Sequence, residues 1–375
     1  MNFDLTEERQ MLQDTLRRFL ADRYTTETRN KIIESDSGMS DDIWSSLAEL
    51  GVIGALFTED QGGFGGAGFD ITTVFEELGR AGVVEPFLET AVLGGGLIAV
   101  LGTEDQQTLI ENVIGGGLHL ALAHGEPTSR YDLTRVETTA KTEGDDIVLN
   151  GRKAVVANAE AAGQIIVSAR ESGAADDANG ISLFLVPADS SGLTLRGYPM
   201  LAGGRAAEVT LDNVRVDASA RLGAAGAAWS AIAKQVAVAN VAIAAETLGA
   251  METATELTRE YLMTRKQFGR PIGTFQALAH RFSDMLIELE QARSAVINAA
   301  GHLEDPDRDR QIAAARSLIG RVGRLIAEET IQMHGGIAMT QEYELAHIAK
   351  RIVMNDHRLG DTDYHLEQFI ALSAA

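Results

Sequence analysis

The sequence predicts an α+β protein in three parts: an N-terminal helical domain, a central antiparallel β domain and a C-terminal four-helix bundle. Three observations predict it. Apolar residues recur at helical spacing through the first third of the chain. From about residue 119 the pattern changes to short β-branched runs broken by Gly, Asp, Asn and Pro. Beyond about residue 222, long amphipathic stretches are joined by brief polar connections. The boundaries drawn from these changes are 1–118, 119–222 and 223–375.

Each element has its own signal. Leu12, Leu16 and Phe19 lie on one helical face, with Glu7 and Glu8 in the first turn, where the helix dipole favours anions. A second helix opens at Ser40 with Asp41 and Asp42, puts Ile43, Leu47 and Leu50 on one face, and stops at Gly51. A third, Phe69 to Leu78, follows a glycine-rich connection, and apolar helix-like stretches continue to about Leu118. Val148 to Gly151, Ile165 to Ser168, Ile181 to Val186, Leu193 to Leu195 and Ala207 to Val216 read as strands of an antiparallel sheet. Long helices are expected over Ala227 to Thr264 and Gly273 to Leu303, the second with a stripe of Phe275, Leu278, Phe282, Met285 and Leu289. A polar loop, Glu304 to Asp307, leads to a third long helix ending near His334, with shorter helices after Glu342 and Asp361.

Composition narrows the chemistry. Lys and Arg total 32 and Asp and Glu 54, a net charge of −22, with no basic block to release counterions from a phosphate backbone. Nucleic acid and anionic membranes are therefore not expected partners. There is no cysteine, which removes disulfides, thiolate metal sites and a Cys nucleophile. No run approaches the roughly 20 uncharged apolar residues that span a bilayer. Asp4, Glu7 and Glu8 stand where a leader peptide would carry positive charge, so a cytoplasmic protein is expected. Aromatic residues are only 5% of the chain.

Two motifs are decoys. Gly63-Phe64-Gly65-Gly66-Ala67-Gly68 fits G-x-G-x-x-G, but its flanks are helical rather than alternating strand and helix, so a flexible interhelical loop is expected. His124-Gly125-Glu126-Pro127 matches the start of a zinc deaminase signature whose completing cysteines are absent. Neither H-E-x-x-H nor G-x-S-x-G occurs, and no metal site is expected.

The informative stretch runs from Tyr261 to Gln276. Arg265, Gln267, Phe268 and Gln276 cluster around a turn through Gly269 and Pro271, where a planar cation, an amide and a ring can grip a phosphate-bearing planar cofactor. This stretch resembles the acyl-CoA dehydrogenases, flavoproteins that carry R-x-x-F-G followed by F-Q at this spacing. Gln332-Met333-His334-Gly335-Gly336-Ile337-Ala338-Met339-Thr340 resembles the family's Q-x-x-G-G-x-G-x-T segment, with Ala338 in place of the second glycine. Leu50 to Gly54, Gly62 to Gly65, Glu76 to Gly79, Asn150 to Lys153 and Leu211 to Val216 extend the likeness over nearly the whole chain. The resemblance implies FAD held by Arg265, Gln267, Phe268, Gln276, Gln332, Gly335 and Gly336, the last segment reaching the flavin of a neighbouring subunit. It also implies an acyl-CoA substrate and an electron-accepting flavoprotein partner.

Departures from the family are specific. A glutamate in a Y-E-G-T segment removes the substrate α-proton in the family, while the β-hydrogen leaves as hydride to the flavin. Here the segment is Asp356-His357-Arg358-Leu359-Gly360-Asp361-Thr362, and the glutamate position falls on Leu359 or Gly360. The family's alternative base position, on the helix before the R-x-x-F-G turn, aligns with Ala239, followed by Asn240. Asp361 is the nearest carboxylate: a base if the loop shifts by one residue, or a cap of the helix containing Tyr364 to Leu372. The family's flavin-packing W-I-T aligns with Val155, Val156 and Ala157, and its E-P-x-x-G-S-D loop with Glu126 to Asp132, where Arg130 and Tyr131 replace Gly and Ser. Three readings result: a base-deficient subunit paired in an α2β2 assembly with a catalytic paralogue, as in bacterial members acting on CoA esters of steroid side chains; a self-sufficient homotetramer using Asp361; or a flavin-dependent monooxygenase or eliminating enzyme on the same fold.

Overall fold

The structure, a computed structural model, describes residues 5–374. Asp4, one of the three acids counted against a leader peptide, lies outside the described residues. The chain divides into two compact units, Met1–Lys31 with Ala67–Val83 and Asn240–Ala375, and Ile32–Gly66 with Val84–Ala239.

The N-terminal elements are helical, as expected: α1 (Glu7–Arg23), α2 (Thr26–Glu34), α3 (Asp41–Glu49), α4 (Gly68–Ala81), a π-helical segment Leu88–Gly95 continuing into α5 (Gly96–Leu101), and α6 (Glu104–Ile114). Thr6 caps α1 by accepting from Arg9 N, and Ser40 caps α3 by accepting from Ile43 N. Gly51 follows α3 at φ +79°, the left-handed stop its sequence predicted. Two details differ. α2 has a polar sequence with no apolar stripe, so periodicity did not reveal it. On α3 the buried face is Ile43, Trp44 and Leu47, while Leu50 is exposed because the helix has already ended.

The glycine-rich connection is not an open phosphate cradle. Backbone bonds from Gly63 N to Thr58 O, Gly65 N to Phe57 O and Gly66 N to Ala55 O fold it onto itself. A Cβ on Gly63 would stand 2.3 Å from two carbonyl oxygens, so the glycine serves close packing. The loop is interhelical, as expected, but tightly bonded rather than flexible.

The sheet comprises β1 (Leu120–Ala123), β2 (Thr139–Glu143), β3 (Asp146–Ala157), β4 (Gln164–Arg170), β5 (Ile181–Pro187), β6 (Leu193–Pro199), β7 (Arg205–Asp217) and β8 (Arg221–Leu222), in the order β6-β7-β3-β2-β4-β5-β8. Most pairings are antiparallel, but β1 runs parallel to β4, from Leu120↔Gln164 to Ala123↔Val167, and β2 meets β4 in parallel at Thr139↔Arg170. Parallel neighbours need a long crossover, which the β2–β3 hairpin provides between β1 and β4, and β3 with its flanking turns between β2 and β4. The strands bury Ile147, Leu149, Ile165, Val167, Phe184 and Val209 in one apolar cluster.

The C-terminal elements are α7 (Trp229–Thr264), β9 (Lys266–Gln267), β10 (Arg270–Pro271), α8 (Gln276–Gly301), α9 (Arg308–His334), α10 (Glu344–Asp356) and α11 (Thr362–Ala374). α7 is long and apolar enough to cross a membrane by length and composition, but 83% of its most apolar window is buried within the protein, as suits a core helix. Its packing on α4 needs two glycines: a Cβ on Gly79 would lie 1.9 Å from Glu246 O, and one on Gly249 1.9 Å from Glu76 O. Of the stripe expected on α8, Met285 and Leu289 are buried, whereas Phe275, Leu278 and Phe282 are only half-buried.

Candidate functional site

After Thr264 the chain makes a two-residue hairpin. Gln267 pairs with Arg270 across a turn in which Phe268 and Gly269 have φ of +53° and +79°. Two successive positive φ values are the signature of a type I′ turn, whose twist matches the flanking strands. Arg265 N donates to Tyr261 O and Ile272 N to Arg265 O, both at 2.8 Å, closing the base of the hairpin. Arg265, Gln267 and Gln276 are exposed, and Phe268 is 92% exposed. The Phe268 ring meets Phe275 edge-on at 6.1 Å, and the Arg270 guanidinium lies 4.2 Å from the Phe275 centroid. The sequence-predicted cluster thus forms one projecting, polar and aromatic tip.

The second predicted segment begins where α9 ends. Gly335 has φ +71° and ψ −147°, a region essentially closed to other residues. Beside Gly335 and Gly336 a Cβ would meet nothing within 4 Å, so their backbone is open to a planar or anionic group. Gln332 is exposed, and Ala338, in place of the family's glycine, is buried. The two segments meet through their preceding residues: Tyr261 stacks on His334 with centroids 4.5 Å apart.

The 356–362 loop is held from two sides. Arg316, 1% exposed on α9, donates from Nη2 to the carbonyls of Asn355, Arg358 and Gly360 at 3.2, 2.8 and 3.1 Å. Arg358 donates to Glu246 Oε2 at 3.2 Å, and Arg351 and Asn355 bond the other oxygen. Burial acts to raise the Glu246 carboxyl, but Arg351 and Arg358 outweigh it and hold it below its ordinary value. Leu359 has φ +57° and Gly360 φ +122°. A Cβ on Gly360 would stand 2.5 Å from Tyr364 Cδ1 and 2.6 Å from His365 Nε2. Asp361 Oδ1 accepts from Tyr364 N at 2.9 Å, the geometry of an N-cap on α11. At the alternative position on α7, Ala239 is fully buried.

The β domain holds a buried arrangement that sequence reasoning did not bring together. Lys153, with no exposed surface, donates to Glu126 Oε1 at 2.7 Å, Ser168 Oγ at 2.9 Å and His124 O at 3.3 Å. Burial lowers the Lys153 ammonium to about 8, with Glu126 acting the other way. Glu126 also accepts from Glu137 N and Thr138 N, at 2.7 and 3.0 Å, and is held below its ordinary value despite burial. Burial, then Lys153, lowers His124 to about 4. The sequence carried no distinct signal for it, since Lys153 stands between Arg152 and Ala154.

Val155, aligned with the family's flavin-packing Trp, lies at a bulge of β3 with φ +52° and is 63% exposed. A β-branched residue in the left-handed region is a genuine outlier. Glu208 Oε1 accepts from Val155 N at 3.4 Å and from Tyr198 OH at 2.9 Å. Arg130, at φ +45°, places its guanidinium 5.2 Å from the Tyr131 ring, where the family has Gly and Ser.

Three family profiles match the chain: "Acyl-CoA dehydrogenase, N-terminal domain" over residues 6–111, "middle domain" over 121–214 and "C-terminal domain" over 226–371. That family is FAD-dependent, and its members are oxidoreductases acting on CH–CH donors. The chain is 31% identical over 351 residues to a probable acyl-CoA dehydrogenase YngJ of Bacillus subtilis, covering 92% of each chain. It is similar to a solved variant of the "Tcur3481-Tcur3483 steroid ACAD", at 31% identity, TM-score 0.88 and 98% of each chain. It is also similar to butyryl-CoA dehydrogenase from Megasphaera elsdenii, at 25% identity, TM-score 0.91 and 100% of each chain.

Proposed function

We propose, on the premise that the chain belongs to the acyl-CoA dehydrogenase family, that it is a FAD-binding subunit for α,β-dehydrogenation of an acyl-CoA thioester, paired with a paralogue that supplies the base. The observation that carries this reading is the 356–362 loop. Leu359 and Gly360 stand at the base position without an acid, and the Asp361 carboxylate is engaged at the N-terminus of α11. The name of the 31%-identical steroid ACAD joins two designations, which supports an unlike partner and a bulky acyl group.

The residues present fit FAD. The open backbone at Gly335 and Gly336 admits a flat or phosphate-bearing group, and the exposed Arg265 and Gln267 offer a fork of donors and an amide to its polar edge. Phe268 presents a ring, and Gln276 and Gln332 add amides. When bound, FAD supplies acceptance of the β-hydrogen as hydride. The exposure of the Phe268 tip favours a grip on the cofactor of a neighbouring subunit. The same reading implies an electron-accepting flavoprotein as the partner that would take on the electrons. The division at 118/119 and 222/223 belongs to the same reading, since each matched family segment falls within one predicted part.

Co-expression with a paralogue carrying the glutamate tests it: the two chains co-purify, show a flavin spectrum and desaturate an acyl-CoA. A stable homotetramer of this chain alone, fully loaded with FAD and active, would overturn it. Asp361→Asn keeps a capping acceptor but removes a base, so in the assembled protein it leaves flavin reduction by substrate unchanged. Loss of reduction would make Asp361 the base.

A further inference from the structure

The hairpin carrying Arg265 to Gln267 has two residues in each strand, and a two-stranded ribbon this short is marginal by itself. The segment after α9 has the opposite difficulty. Gly335 sits in a sparsely populated backbone region, and at both Gly335 and Gly336 the space a Cβ would occupy is open, with nothing within 4 Å. Both need an anchor, and the same group of rings provides it. Tyr261, in the last turn of α7, stacks on His334 at 4.5 Å and 26°. On another side His334 meets Tyr343, the N-cap residue of α10, at 5.4 Å and 52°. The His334 ring is fixed in turn: Nδ1 donates to Thr330 O at 2.8 Å, and the residue is 4% exposed.

We propose that Tyr261, His334 and Tyr343 form a ring brace that fixes the Arg265 hairpin and the Gly335–Gly336 segment as one rigid cofactor grip. The three are positioning residues: they act through the backbone of the two segments. The proposal rests on the FAD reading above and adds a physical coupling that neither segment carries in its own sequence. Stacked rings attract beyond the area they bury, and that attraction opposes the local strain of the two segments.

The test uses the full chain, with its paralogue if that is needed for FAD uptake, and two measurements. In FAD titrations followed by the visible flavin band, His334→Ala and Tyr261→Ala raise the Kd at least tenfold and shift the band, while Tyr261→Phe, which keeps the ring, stays within twofold of wild type. In hydrogen exchange without added FAD, both alanine variants speed exchange at 335–339 and at 266–272 together. Should His334→Ala fail to fold, the half-buried Tyr261 position alone decides. Wild-type Kd and exchange in Tyr261→Ala, or a Tyr261→Phe loss equal to that of alanine, would overturn the brace. A wild-type protein that takes up no FAD would sink the cofactor reading instead, and the exchange coupling would still judge the brace.

Discussion

Gly360 shows why the base cannot be restored at every position of its loop. At φ +122°, with Tyr364 and His365 closing on the place a Cβ would occupy, Gly360→Ala is expected to cost about 1–3 kcal/mol, read by chemical denaturation. Leu359 already carries a side chain at φ +57°, so it is the position where Glu can be introduced with the backbone unchanged. Asp361 gives a second residue-scale expectation: Asp361→Ala costs about 1 kcal/mol through the lost cap, and Asp361→Asn stays within about 0.5 kcal/mol. At Lys153 the expected loss is larger. Lys153→Met leaves Glu126 as an uncompensated buried charge and costs about 3–5 kcal/mol in the same measurement. Sequence reasoning found Asp361 because caps are local chemistry, but it could not find the Lys153–Glu126 pair, whose members are 27 positions apart.

Among the elements, α1 was legible from its first-turn acids and helical spacing, though its Thr6 cap and buried Leu20 were not read, α3 from its Ser40 cap, first-turn acids and apolar face, and the long helices from their amphipathic spacing. α2 was not, because its nine residues have no apolar stripe and its existence depends on tertiary packing. β1 was not, because Leu120–Ala123 has neither alternation nor β-branching and becomes a strand only against β4. The hairpin at 266–271 was legible as a turn, but its I′ geometry was not, since Phe is a poor residue for φ +53°. That mismatch predicts opposite effects from one substitution. Phe268→Gly relieves the left-handed strain and stabilises the isolated chain by about 1 kcal/mol, while FAD uptake falls because the exposed ring is lost; denaturation and flavin absorbance read the two effects separately.

For the molecule as a whole, acid stability depends on histidines buried as neutral rings. Burial lowers His124 to about 4 and His365 to about 3, from 6.5 in the open chain. Between those values the unfolded chain binds protons that the folded chain does not, so stability present above pH 6.5 is lost progressively as pH falls toward 3. The thermal midpoint is expected to decline from about pH 7 to about pH 4, and His365→Leu to make that decline shallower. A midpoint independent of pH over this range would contradict the assignment. The sequence by itself determined the three-part order, the family likeness and the absence of an acid at Leu359 and Gly360, because composition, periodicity and short motifs are local properties of the chain. Only the tertiary structure decided that Gly360 admits no side chain, that Val155 is held in a strained bulge, and that the two cofactor segments meet through Tyr261 and His334. Each of these depends on groups distant in sequence or on backbone angles set by their neighbours, and packing is what brings them to one place.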